Sequence, residues 1–413
     1  MAVKPNPPAH IPSGTVAPEG NPTVVDGGYR ILPHDTDGVN SSAHPSDTEG
    51  GAGARALAQL ALSDCGAVAA LRLTRRDPAR IAAVVYGDDV LDEGSPIALA
   101  VGRQLEAALK RNNFARFRES LERAGRLADP ARARILDIDA AVPGSDPAAL
   151  AERVRRTRDL LLRAARGDPG VPDVLWHPHL TLAVTPTLRV TIIPDYLLLR
   201  HTAPGFRIGE VKAYRDRGAY TGITSLRLAR LQAAVEVIAV QETLRTLGIR
   251  AATELVPTDV DFMLRSRTGF FGVVRPKPAR VHREVERVRR AITEATLRLP
   301  GLVGALPVGA SLDTRAGFEA LPYHYTEGCR GHCPLAARCA QRAAAAGQPS
   351  VLGDEMDAVM GGALTLTDLD AILGGRIAPL TAEAAAVADA FAHSLTAAGF
   401  YRQRPSNEVR RAS

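Results

Sequence analysis

"IPDYLLLRHTAPGFRIGEVKAYRDRG", residues 193–218, decides how this chain is read. Two apolar runs separated by Pro and Gly read as successive strands. Pro194-Asp195 opens the first run, and Glu210-Val211-Lys212 closes the second. Adjacent strands would bring Asp195 and Glu210 to one end of a sheet. Two carboxylates in a partly dry site repel unless a cation sits between them. A hard divalent ion such as Mg²⁺ or Mn²⁺ suits such oxygen ligands. Residues 210 and 212 lie two apart, so on a strand they face the same side. An ammonium there can orient a water and offset charge developing on a phosphate. Lysine is rare in this chain, 4 against 47 arginines, so its place here carries weight.

The composition around this stretch sets bounds. A chain of 413 residues can bury a large core, in one large domain or two or three smaller ones. The formal charge of +6 permits a polyanionic partner without demanding one. "MAVKPNPPAHIPSG" lacks the apolar segment of a secretory signal, and no apolar run nears the roughly 20 residues of a membrane span. The expectation is a cytoplasmic protein without membrane contact. In a reducing compartment the four cysteines point to metal binding before disulfides.

Residues 1–50, rich in Pro, Gly, Ser, Thr and Asp, read as a flexible arm. Helical patterning runs through "ARALAQLALSDCGAVAALRLTRRDP" and stops at Pro78, and "RIAAVVYGD" reads as extended. "PIALAVGRQLEAALKRNNFARFRESLERAGRL" predicts a long helix or a helix pair, and "DPAALAERVRRTRDLLLRAARG" another helix, ended by Gly167. "PDVLWHPHLTLAV", "LRVTIIPDYLLLR" and "FRIGEVKAYRD" read as successive strands of one sheet, with the helix "TSLRLARLQAAVEVIAVQETLRTLG" behind it. "ATELVPTDVDFMLRS" and "GFFGVVRP" read as two more strands, and "ARVHREVERVRRAITEATLRL" as a charged helix. His177, His179 and His324 read as strand-end or loop residues. A small helical tail follows from about 350. The expected fold class is α/β, with a helical insertion or cap.

Further residues fall into line with the opening stretch. "GRQLEAAL" places Glu106 in a G-x-x-x-E helix upstream, and "RLQAAVEVIAV" places Gln232 downstream with Glu236 one turn later. In this order the motifs resemble the PD-(D/E)xK nuclease signature of the RecB-like family, whose Q-x-x-x-Y helix has tyrosine where this chain has Glu236. The resemblance implies a restriction-endonuclease-like core sheet flanked by helices, with helical N-terminal and C-terminal additions. It implies catalytic roles for Asp195, Glu210, Lys212, Glu106 and Gln232. Glu106, Asp195, Glu210 and the carbonyl of Val211 would hold Mg²⁺ or Mn²⁺. The substrate would be DNA, single-stranded or at duplex ends, cut to leave 5′-phosphates.

"CRGHCPLAARC" sets Cys329, Cys333 and Cys339 close together, with Cys65 far upstream in "LALSDCGAVAALRL". Four thiolates suit a [4Fe–4S] cluster or a tetrahedral Zn²⁺, the latter with His332 as a substitute ligand. The pattern is similar to the iron–sulfur branch of the RecB-like nucleases, which includes AddB and CRISPR-associated exonucleases. There a structural [4Fe–4S] cluster staples the two ends of the domain. The resemblance makes residues 51–345 the nuclease domain and 346–413 a helical extension. The chain lacks the G-x₄-G-K-[ST] of a helicase, so a helicase or other repair or defence protein would act in trans. Arg-rich helices could track a phosphate backbone, though a solvated face serves equally in so Arg-rich a chain. Two rival readings stand beside this one: a non-catalytic RecB-like module that binds nucleic acid or a partner, and a zinc-stapled scaffold with incidental carboxylates.

Overall fold

Three helices open the described part of the chain: α1 (Ala54–Leu60), α2 (Gly66–Leu73) and α3 (Pro78–Tyr86). The computed structural model describes residues 53–62, 64–86, 96–127, 129–199, 205–215, 223–266, 276–330, 332–360, 364–379 and 381–397. The arm expected at 1–50 lies outside them. Helix α3 corrects the extended reading of "RIAAVVYGD". Ile81, Ala82 and Val85 are its buried stripe, at helical spacing. Pro78 opens the helix, where a missing N–H costs nothing, so it starts an element instead of only ending one.

Helix α4 (Pro96–Arg123) is a pair: Arg111 to Phe114 leave helical dihedrals, with Asn112, Asn113 and Phe114 at positive φ. Strand β1 (Ile135–Asp137) and helix α5 (Ile138–Ala141) occupy a stretch that showed no pattern of its own. Asp137 caps α5 by accepting from the backbone N–H groups of Asp139 and Ala140. Helix α6 (Pro147–Ala165) follows, capped by Asp146.

Then come β2 (Val174–Trp176), β3 (Leu180–Ala183), β4 (Arg189–Ile192), β5 (Tyr196–Leu198) and β6 (Arg207–Arg215). After them lie α7 (Ile223–Thr246), α8 (Ala252–Leu255), β7 (Asp259–Arg265), β8 (Lys277–Arg280) and α9 (His282–Gly304). Helix α8 corrects the strand expected to begin at "ATELV"; only the part after Thr258 is extended. The strand expected at "GFFGVVRP" falls almost wholly outside the described residues. Helix α10 (Arg315–Ala320) precedes the cysteine triplet, whose last member, Cys339, lies in α11 (Ala336–Ala345). The tail holds α12 (Asp354–Met360), α13 (Leu366–Leu373) and α14 (Ala382–Ala397), with a small core of its own around Met360, Leu369 and Val387.

The main sheet is six-stranded, in the order β1-β2-β5-β6-β7-β8. It is mixed: β1–β2 and β6–β7 are parallel, the other pairs antiparallel. Strands β3 and β4 form a separate antiparallel pair, so the expectation that all these strands share one sheet is corrected. Alternation along the strands separates two cores. Trp176, Tyr196, Leu198 and Met263 point to one face, where Leu105, Leu109 and Phe117 of α4 cover them. Leu175, Leu197, Ile208 and Leu264 belong to the other core, with α7. Glu210 and Lys212 share the parity of Ile208, so β6 directs them toward α7. Gly209 sits opposite Tyr196 in the β5–β6 register, and a Cβ there would lie 1.8 Å from the tyrosine ring. Only glycine admits the ring. Among the described residues no helix is long and apolar enough to cross a membrane.

Candidate functional site

Asp195 lies just before β5, and Glu210 and Lys212 lie on β6, its hydrogen-bonded neighbour. The backbone N–H of Val211 donates to Asp195 Oδ2 at 2.6 Å. Lys212 Nζ pairs directly with Glu210 Oε2. The structure thus brings the three together on the α7 side of the sheet. The fourth member is Glu236 of α7, 2% exposed and hydrogen-bonded to Glu210. Sequence reading placed Glu236 only as a departure from a tyrosine pattern. Its signal was a lone charge in the apolar run "AAVEVIAV". Gln232 lies one turn earlier on the same helix face, half-buried.

The electrostatics follow from three carboxylates around one ammonium. Burial, with Glu210 alongside, pushes the Asp195 carboxyl up to about 7. Burial and Glu210 push Glu236 well above the ordinary carboxylate range. Burial also acts on Glu210, but Lys212 and the hydrogen bond from Glu236 outweigh it and hold Glu210 below its usual value. Burial would lower Lys212; Glu210 and Asp195 raise it above an ordinary lysine instead. Glu210 and Glu236 are almost fully enclosed, whereas Asp195 and Lys212 keep partial exposure, so the cluster is open on one side. Asp195 and Glu210 supply carboxylate oxygens, the donors that a hard divalent cation takes.

Glu106 has its partners in a second group of charged residues. It lies on α4, across the sheet from α7, and pairs with Lys110 at 3.3 Å and with His177 Nε2 at 3.2 Å. His177 is the link. It follows β2 at φ 49, and its backbone N–H donates to the Asp195 carbonyl at 3.1 Å. Its Nδ1 lies 3.0 Å from Asp139, which also holds His179 at 2.8 Å and Arg153 at 3.3 Å. Against the pull of burial, the hydrogen bonds to His177 and His179 hold the Asp139 carboxyl far below its ordinary value. One ligand atom each from Asp137, Asp139 and His177 lie within 4.8 Å of one another. Lys110 on Asp137 and Arg153 on Asp139 already offset those charges. The signal for this group was the pair of alternations Asp137-x-Asp139 and His177-x-His179.

The four cysteines, buried and unpaired, line one cavity with Gln59, Val68 and Leu335. Cys65 is the N-cap residue of α2, in extended backbone geometry, and burial raises its thiol. The N–H of Ala67 donates to Pro322 at 2.9 Å, and a Cβ on Gly66 would lie 2.6 Å from the Pro322 ring. That close approach draws Cys65 to the segment that leads into the triplet. The side-chain amide of Gln59 donates to the His332 carbonyl, and Arg72 holds Gln59 Oε1 at 2.9 Å. Burial, with the other thiols nearby, raises Cys333 strongly and Cys339 to about 12. Four buried sulfurs at one cavity are the donor set that a soft metal or cluster suits.

Beside this cavity opens a cleft of about 340 Å³ that Arg227, Arg287, Arg290 and Arg298 line. Two acids share it: Asp64 pairs with Arg298 at 2.5 Å, and Glu294 lies 4.0 Å from Arg290. On α6 the arginines are largely taken up within the chain, Arg155 by Glu152 and Arg163 by Asp168. Compared with family models, with curated proteins and with solved structures, the chain matches none.

Proposed function

We propose that this chain hydrolyses phosphodiester bonds of DNA, using a divalent metal held by Asp195 and Glu210, with Lys212 as the catalytic lysine. The observation that carries the reading is the meeting of these three side chains, Asp195 from the turn into β5 and Glu210 and Lys212 from its paired neighbour β6, at a cluster with one open side. They are the residues that the RecB-like resemblance assigns, on an α/β sheet flanked by helices. Bound Mg²⁺ or Mn²⁺ would polarise a phosphate oxygen and lower the pKa of a bound water. Asp195 and Glu210 supply the anionic oxygens for it. Lys212 is fixed by Glu210 and offers its remaining N–H donors to the attacking water and to the phosphate. His177 holds the Asp195 backbone and connects it to Glu106. Gln232 lines the same helix face. The four cysteines would hold a structural [4Fe–4S] cluster, with zinc as the alternative occupant.

One assay tests this. The purified chain is incubated with end-labelled single- and double-stranded DNA in Mg²⁺ or Mn²⁺. Cleavage by the parent, lost in Asp195→Ala and Lys212→Ala, is the expected result; intact DNA under both metals overturns it. A second reading, a non-catalytic nucleic-acid-binding module, is favoured by the pairing of Glu106 with Lys110 and His177. It expects DNA retention without cleavage in the same assay.

A further inference from the structure

The wall of the cysteine cavity contains one amide side chain, that of Gln59, 5% exposed. Its Nε2 donates to the His332 carbonyl, across 273 residues of chain. Its Oε1 accepts from Arg72 Nε at 3.2 Å and from Nη2 at 2.9 Å. A guanidinium only donates and a carbonyl only accepts, so these partners fix which end of the amide faces which. Gln59 lies on α1, shortly before Cys65, and Arg72 lies on α2, of which Cys65 is the N-cap. His332 lies between Cys329 and Cys333, in a turn closed by the Cys333 N–H on the Cys329 carbonyl at 2.9 Å. The relay therefore joins the segment of the lone cysteine to the loop of the triplet. Arg72 is itself largely enclosed, its side chain 13% exposed, with Asp77 at 3.8 Å. Burying an amide and a guanidinium is costly where an aliphatic pair would fill the same space.

We propose that Gln59, oriented by Arg72, is a positioning residue for the cofactor of the four cysteines, holding the turn from Cys329 to Cys333 in place beside Cys65. This rests on the proposed cofactor reading of the cavity and adds to it two residues outside the donor set. Hydrogen bonds from outside a ligand set orient the ligands, and their loss commonly lowers metal affinity about 10–100-fold. Gln59 acts on the backbone next to Cys333, so it fixes where that sulfur starts from. Arg72 fixes Gln59 and brings a positive charge to the same wall. Burial works against that charge, and Asp77 and then Cys333 favour it. Thiolates bound to a cofactor would favour it further.

The full chain is purified under reducing, oxygen-free conditions, its iron and zinc are measured per chain, and the loss of metal to excess EDTA is timed. Each stripped protein is then melted. Gln59→Glu keeps the shape and the link to Arg72 but sets an oxygen against the His332 carbonyl. The expected result is metal lost at least about 10-fold faster than from the parent, while the metal-free chain melts like the parent, because the α1–α2 link remains. Arg72→Met should also lose metal faster, and Arg72→Lys, which keeps a donor and the charge, should recover part of the retention. If Gln59→Glu keeps its metal as long as the parent, the proposal fails and the cofactor stands. Faster loss matched by an earlier melt of the metal-free chain makes the relay a packing feature, and the proposal fails again. A parent with no more iron or zinc than Cys333→Ser overturns the cofactor reading, and the role of Gln59 with it. Should Gln59→Glu not fold, Gln59→Met removes the donor without adding charge and is judged by the same outcomes.

Discussion

The backbone N–H of Val211 donates to the Asp195 carboxylate at 2.6 Å. This bond fixes the acid of one strand against the middle of the Glu210-Val211-Lys212 segment of the next. Val211 turns its side chain to the α4 core, so its neighbours on both sides turn to α7. One backbone bond and one parity rule therefore set the positions of the three residues that the proposed chemistry needs.

Removing Lys212 should be costly to both rate and stability. Its loss leaves three carboxylates without an ammonium, and breaking a buried ion pair costs about 3–5 kcal/mol. Lys212 keeps partial exposure, so the lower end applies. Lys212→Ala is expected to lose about 3 kcal/mol in urea melts with EDTA and to slow cleavage by about 10³-fold or more. A well-folded variant that cuts DNA at the parental rate would exclude Lys212 from catalysis.

Gly66 offers a test of the cysteine cavity that leaves every cysteine in place. A Cβ at this position would lie 2.6 Å from the Pro322 ring and 3.0 Å from its carbonyl. Gly66→Ala must then push α2 and its cap Cys65 away from the 322–339 segment, at a cost of about 1–3 kcal/mol. If the cavity holds the proposed iron–sulfur cluster, the expected outcome is a lower iron content per chain, measured by elemental analysis, together with an earlier melt. Cys65→Ser should lose more iron than Gly66→Ala. Full iron occupancy in Cys65→Ser would mean that the triplet holds its cofactor without Cys65.

The sequence showed some of this and hid the rest for definable reasons. Strong periodicity made α6, α7 and α9 legible, and the two-residue spacing of Glu210 and Lys212 gave their shared side. "RIAAVVYGD" misled because a run of Val and Ile reads as a strand by propensity, while the burial of Ile81, Ala82 and Val85 makes it a helix. Strand β1 has three residues, too few for any period to register. The separation of β3–β4 from the main sheet depends on pairing across the fold, which no local pattern encodes. Glu106 was legible as a helical acid but not in its partners, because His177 reaches it only through a positive-φ turn after β2. Glu236 was read as a missing tyrosine, and only the packing of α7 against β6 shows it as a fourth titratable group of the cluster.

Gly209 should tolerate no side chain. The Tyr196 ring occupies the space of its Cβ, and Tyr196 is fully buried against Phe117 at a ring separation of 4.9 Å. Gly209→Ala is expected to yield little folded protein, or a chain with a displaced β5–β6 pair and no cleavage. Removing the obstructing ring in Gly209→Ala/Tyr196→Ala should recover some soluble protein relative to Gly209→Ala, although the cavity itself costs about 3–5 kcal/mol. A parental melt for Gly209→Ala alone would contradict the close approach of ring and strand.

Asp139 sets an acid limit on stability. Burial tends to raise its carboxyl, but the hydrogen bonds to His177 and His179 prevail, and its folded-state pKa lies far below the ordinary value. The sign follows from linkage. With the folded pKa depressed, the stabilisation is present above the unfolded pKa of about 4 and is lost as pH falls toward the folded value. Asp139→Asn keeps the shape and removes the charge that His177, His179 and Arg153 share. It should therefore melt below the parent at neutral pH, and the gap should narrow progressively as the pH drops below about 4. Urea melts of both proteins from pH 3 to 7 measure that gap. A difference that stays constant across the range would show that Asp139 acts through packing and not through its charge.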